Sequence, residues 1–301
     1  MAGPVVVLAG GTGGAKLARG LLDVVGGDLV VVANTGDDVE IYGAHVSPDP
    51  DLVTFWLADR IDERGWGLAG DTFAVMEGLR SLGEDVWFHL GDRDLAIGLH
   101  RARRLAEGAR LTETLAELGA ALGVEARVLP MSDAPVRTRV RARGRDWALQ
   151  EFLIRAGAEG PVQDVVFGGA AAAAPSSEVL EAIARARAIV IGPSNPVISI
   201  GPILALPGLP EALRAAPAPV VAVSPLVGGR VLKGPTAAFL AWAGRPLSAE
   251  GIAAQYAGVI DGLVADDPAE SVPTREISVR LSTPGERRRV AEAVLAFAAA
   301  L

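Results

Sequence analysis

Val5-Val6-Val7-Leu8-Ala9-Gly10-Gly11-Thr12-Gly13-Gly14-Ala15-Lys16 is the stretch that decides the fold. A short, largely β-branched run has the length of a buried strand, the glycines make a tight turn, and apolar residues then recur at helical spacing to Val25. A second apolar run at 29–33 completes the opening of a right-handed βαβ unit. Working outward, 86–90, 165–167, 188–191 and 220–223 read as further buried strands, and helical patterns stand at 71–82, 94–106, 112–122, 177–187 and 248–256. This alternation predicts one α/β domain over 1–301, a doubly wound, Rossmann-like, mostly parallel sheet with helices on both faces. The rhythm breaks near 126–160, where 137–143 alternates polar and apolar residues. The span 95–165 is therefore expected to be an insertion, part helical and part antiparallel, that covers the site or makes a homodimer contact.

Composition narrows the chemistry. The chain has 301 residues, no cysteine and a formal net charge of −8. Disulfides, thiolate metal sites and Cys nucleophiles are excluded, and the acidic balance argues against a nucleic-acid partner, which would be held by a basic face. No apolar run reaches the roughly 20 residues of a spanning helix. The Met-Ala-Gly-Pro start carries no export pattern, so no membrane association and a cytoplasmic location are expected. Small-molecule substrates remain. Only two of the 28 basic residues are lysines, Lys16 and Lys233, both in glycine-containing stretches where a compact charge suits phosphate.

The loop at 10–16 follows a strand and opens a helix, so its amides form a pocket for a phosphate or carboxylate; Gly11, Thr12, Gly13, Gly14 and Lys16 are the candidate residues. It fails as a dinucleotide fingerprint, because the third glycine position falls on Lys16, and as a Walker A loop, because Ala15 precedes that lysine and Leu17 follows it. An NAD-dependent oxidoreductase is disfavoured on that ground. Asn34-Thr35-Gly36-Asp37-Asp38 places two carboxylates at the carboxyl edge of the sheet, where hard oxygens suit Mg2+. Asp49 and Asp51 follow a short loop later, Asp49 with the competing look of a helix cap. In Gly91-Asp92-Arg93-Asp94 the guanidinium of Arg93 is flanked by acids, and Gly192-Pro193-Ser194-Asn195-Pro196, leading into Ser199-Ile200-Gly201, offers Ser194, Asn195 and Ser199 to a base, ribose or phosphate. Ser224 to Gly229 and Lys233-Gly234-Pro235 repeat that pattern at the next strand end. The three histidines show no metal-ligand spacing and read as packing or surface residues, and Arg287-Arg288-Arg289 reads as a solvated helix face.

Together and in order, the loop at 10–16, Asn34 to Asp38, Ser47-Pro48-Asp49, Gly91 to Asp94, Leu129-Pro130-Met131-Ser132-Asp133 and Gly192 to Leu204 resemble the 2-phospho-L-lactate transferase family of deazaflavin coenzyme F-420 biosynthesis, whose bacterial members are phosphoenolpyruvate transferases. The resemblance implies transfer of a phospholactyl or enolpyruvyl-phosphate group from a guanosine diphosphate ester to the ribityl alcohol of a hydroxylated deazariboflavin, with release of GMP. It implies Asp51, Arg93 and Asp49 at the deazaflavin, Ser194 and Asn195 at the nucleotide, and Asp37 with Asp38 as Mg2+ ligands. Asp38 or Asp51 is the implied base, and the sequence does not separate base from metal ligand. It departs from the family pattern at Ala134 and at Leu149, before Gln150. The alternative from another class is a non-catalytic nucleotide-binding metabolic regulator of a related family.

Overall fold

The runs at 5–9 and 29–33 lie side by side in parallel register, Val5 opposite Leu29 and Ala9 opposite Ala33, in a computed structural model that describes residues 3–301. They belong to a seven-stranded sheet in which every neighbouring pair is parallel. Numbered along the chain, its strands are β1 (Val5–Ala9), β2 (Leu29–Ala33), β3 (Arg127–Pro130), β4 (Ala188–Ile191), β5 (Val220–Val223), β6 (Gly262–Ala265) and β7 (Thr274–Glu276). Their spatial order is 3-2-1-4-5-6-7. The order reverses between β1 and β4, and the crevice beyond their carboxyl ends is where open α/β sheets bind ligands.

Alternation along β1 sorts the core. Val5, Val7 and Ala9 face one layer, Val6 and Leu8 the other, and all five are fully buried. At roughly 1.5–3 kcal/mol for each buried large apolar side chain, this central strand anchors both layers. Helix α1 (Gly11–Val25) packs on the first layer between α2 (Pro48–Leu57) and the C-terminal helix Pro284–Ala298. Gly20 permits the second contact, since a Cβ there would stand 2.5 Å from the Arg287 carbonyl oxygen.

The expected strand at 86–90 is absent. Its amides turn to the carbonyls of Glu84 and Asp85 and to the Tyr42 hydroxyl, and Phe88 and Leu90 are buried in a small satellite cluster. No strand lies beside it, so the alternation serves packing and not a ladder. The expected strand at 165–167 is longer, Val162–Gly168, and pairs antiparallel with Arg137–Ala142 outside the main sheet. Residues 95–165 are not one block, because β3 lies within them and joins the central sheet beside β2. Two excursions flank β3. Residues 34–126 carry the hairpin Val39–Ile41/Ala44–Val46, α2, α3 (Ala74–Ser81), α4 (Asp92–Ala106) and α5 (Leu111–Leu122). Residues 131–187 carry the antiparallel sheet and α6 (Leu149–Ile154).

Candidate active site

Gly10 and Gly11 turn the chain from β1 into α1, with Gly11 at φ +60°. Gly13 has a different reason to lack a side chain: a Cβ would sit 2.0 Å from the Pro193 carbonyl oxygen. The glycines thus let the loop after β4 close against the start of α1, and the Gly10 amide donates to Ser194 Oγ at 3.2 Å. The first amides of a helix have no intrahelical acceptor. That of Gly11 is taken by Asp49 Oδ1, while Thr12 and Gly13 border an open chamber of about 780 Å³. Lys16, Ser194, Asn195 and Lys233 also line it.

Lys16 and Lys233 make no ion pair among the described residues. Burial lowers the pKa of Lys16, and Arg287 and Lys233 add to the effect. Arg287 is held over Trp56 at 5.3 Å, so it is not the solvated residue expected of the triple-arginine run; Arg288 does pair along the exposed helix face with Glu292. Helix amides and unpaired ammonium groups make this chamber attractive to phosphate.

A second chamber of about 240 Å³ adjoins the first, and Gly11, Leu153, Ile198 and Ser199 line both. Its electrostatics are opposite. Asp37, Asp49, Asp51 and Asp94 line it, among Phe55, Trp66 and Phe88. Asp49 sits at the junction, accepting from Gly11 and, at 2.9 Å, from Asn34 Nδ2. Burial raises its pKa to about 6. Asp37 is raised well above the ordinary carboxylate range by burial and by Asp49 and Asp38, against its own backbone amide and a hydrogen bond from Gln150 Nε2 at 3.0 Å. Asp38 lies outside the lining and takes a 3.0 Å contact from His45 Nε2.

Asp51 is held by Arg101 through both guanidinium nitrogens, and burial still raises the carboxyl. Among the described residues Arg101, 1% exposed, is the one basic residue in direct contact with these carboxylates apart from His45. Oδ1 of Asp37 and Oδ1 of Asp38 are buried without any hydrogen-bond partner, which is costly unless something else satisfies them. No three His, Asp or Glu side chains form a complete metal cage among the described residues. The two orphaned oxygens nevertheless fit Mg2+, which usually takes one or two carboxylates and fills its octahedron with substrate phosphate and water.

The family model for 2-phospho-L-lactate transferase CofD matches residues 5–287. The chain belongs to this family. It is 42% identical over 275 residues to a phosphoenolpyruvate transferase of Kitasatospora aureofaciens, covering 88% of this chain and 86% of that one. It is 36% identical over 312 residues, 99% of each chain, to a 2-phospho-L-lactate transferase of Methanocaldococcus jannaschii. The fold is also that of a UPF0052-family protein of Bacillus halodurans, at TM-score 0.63 and 18% identity over 98% of this chain and 99% of that one. The chain is thus a transferase of the 2-phospho-L-lactate or phosphoenolpyruvate type.

The transferase fold gathers the glycine loop, Asp37, Asp49, Asp51, Ser194 and Asn195 around the two chambers. Asn195 spends Oδ1 on the amides of Val197 and Ile198, leaving its Nδ2 beside Thr236. Arg93 lies apart: its side chain is exposed and lines neither chamber, and its backbone amide is capped by Asp71. Asp92 caps α3 and Asp133 caps α5, so two acids of the family motifs build helix ends. Sequence reasoning missed Arg101. Its signal was available, since Leu95, Gly98 and Arg101 form the buried stripe of α4 and an arginine there needs an acid. Ser199, offered by the sequence with Ser194 and Asn195, lines both chambers; Gln150 was visible only as a polar residue, and its place at the site depends on a chain path that no local pattern encodes.

Proposed function

We propose that this transferase moves a phospholactyl or enolpyruvyl-phosphate group from a guanosine diphosphate ester to the ribityl alcohol of a hydroxylated deazariboflavin, releasing GMP in the cytoplasm. The observation that carries this reading is the shared wall at Gly11 and Ser199 between a phosphate-attracting chamber and a carboxylate-lined one. A diphosphate on the Thr12 and Gly13 amides and an alcohol beside Asp49 would then meet across that wall, as a direct displacement requires.

In the proposed step the alcohol oxygen bonds to the phosphorus bearing the three-carbon acid. The bond from that phosphorus to the bridging oxygen breaks, GMP leaves with that oxygen and the electron pair, and the alcohol proton passes to a carboxylate. The geometry favours Asp49 for that proton over the two acids weighed from the sequence, because Asp51 is locked to Arg101 and Asp38 is paired with His45 Nε2. A pKa of about 6 suits a base working near neutrality. Asp37 and Asp38 would hold Mg2+, which supplies charge neutralisation at the non-bridging oxygens. Lys16 and Lys233 would hold the diphosphate.

The test is to incubate the protein with Mg2+, the deazaflavin alcohol and each guanosine diphosphate ester, and to measure GMP and the adduct mass. GMP formed together with a phosphodiester adduct is the expected result. No GMP and no adduct from any ester would return the nucleotide-binding regulator as the better reading.

A further inference from the structure

Asp94 belongs to the second chamber and has no task in the chemistry above. It stands in the first turn of α4 beneath the Trp66-Gly67 turn, where a Cβ on Gly67 would be 3.8 Å from its Oδ2. Its carboxyl is partly buried and accepts no hydrogen bond and makes no ion pair among the described residues; only its backbone amide is engaged, by Asp71. The neighbouring acids are all committed. Asp51 is bound to Arg101, Asp71 takes the amides of Arg93 and Asp94, and Asp92 caps α3. An uncommitted carboxyl that lines a cavity together with Trp66 and Phe88 is placed to read a ligand.

We propose that Asp94 recognises the acceptor by a two-point hydrogen bond from its carboxylic acid to an imide edge, an adjacent N–H and C=O, of a flat heteroaromatic ring held in the chamber that Trp66 and Phe88 line. The inference rests on the proposed deazaflavin acceptor. A protonated carboxyl has one donor and one acceptor, the complement of an imide, whereas a carboxylate can only accept. The surroundings favour the protonated form: burial, then Asp51 and Asp71, raise its pKa to about 7, with Arg101 opposing. The groups acting on it are Asp51 from α2, Asp71 from the turn before α3 and Arg101 from α4 itself, and His89 lines the same chamber. None of Asp94, Trp66, Phe88 and His89 lines the nucleotide chamber, so the assignment concerns acceptor selection and not donor binding.

Equilibrium dialysis of the full chain with the deazaflavin alcohol, and with its imide N-methyl analogue, tests this on wild type, Asp94→Asn and Asp94→Leu. The carboxamide keeps one donor and one acceptor at every pH. Asp94→Asn should therefore hold the alcohol at pH 8.5 as at pH 6, while the ratio of wild-type to Asp94→Asn affinity falls about tenfold over that range, the worth of roughly two net hydrogen bonds. Asp94→Leu should bind about tenfold more weakly than wild type at pH 6 and should not distinguish the methylated analogue. Methylation should weaken wild type and Asp94→Asn. Equal binding by all three proteins, or indifference of wild type to methylation, overturns the assignment of Asp94 alone. Failure of wild type to bind either compound overturns the deazaflavin reading itself.

Discussion

On the β4 and β5 side of Ser199, Lys16 and Lys233 face the open start of α1 with no counter-ion among the described residues; on the β2 side, four carboxylates face a smaller space with Arg101 as their principal counter-charge. The first arrangement is anion-seeking and solvent-accessible, as a charged leaving group that must enter and depart requires. The second is buried and carries more negative charge than it neutralises, which is stable only if a cation or protons complete it. On the proposed reading, two substrates of different chemistry would be sorted by field before any specific contact forms, and would meet where Asp49 ties the Gly11 amide to the Asn34 side chain.

The contrast can be broken most forcefully at Arg101. Arg101→Met should destabilise the protein by about 3–5 kcal/mol in denaturant titration, because it strands Asp51 in the interior; restoring most of that stability with Asp51→Leu in the same chain would show that the loss came from the orphaned charge. Asp37→Asn comes next, with an activity loss of roughly a hundredfold and a weakened Mg2+ dependence, about 2.7 kcal/mol in the barrier. An unchanged Mg2+ titration would remove Asp37 from the metal site.

On the donor side, Lys16→Met should raise the KM for the guanosine diphosphate ester about tenfold and leave that for the acceptor unchanged. A shift in both constants would mean that the chambers are not separate. The smallest effect is on stability against pH. Asp49 and Asp94 titrate near 6 and 7 when folded and near 4 when unfolded. Their contribution is therefore whole below about pH 4 and is lost as pH rises through the folded values. Stability should fall by about 1–2 kcal/mol from pH 6 to pH 8, with a shallower fall in Asp94→Asn.

Much of this was legible in the letters. The run Val5 to Ala9 with its glycines placed the parallel sheet, because a doubly buried strand shows as continuous apolar sequence. β3, β6 and β7 were not read, since Arg127 and Pro130 bound β3 at the sheet edge and Thr274–Glu276 is a polar edge strand. The strand-end acids and the Ser194 corner were legible for the same reason as the sheet: Asp37 and Ser194 follow directly from buried strands. Arg101, Gln150 and the unpartnered state of Asp94 were not, because each depends on how an excursion from the sheet folds back over it. Arg93 stands in a conspicuous motif, and its helix presents it to solvent outside both chambers.

A crystal structure of the ternary complex with GDP and the deazaflavin alcohol tests the central claim most directly. The account predicts the diphosphate against the Thr12 and Gly13 amides, the deazaflavin ring among Trp66, Phe88 and Asp94, and the alcohol reaching the terminal phosphorus at roughly 3–3.5 Å beside Asp49. A deazaflavin lodged in the Lys16 chamber, or one that displaces GDP, would contradict it.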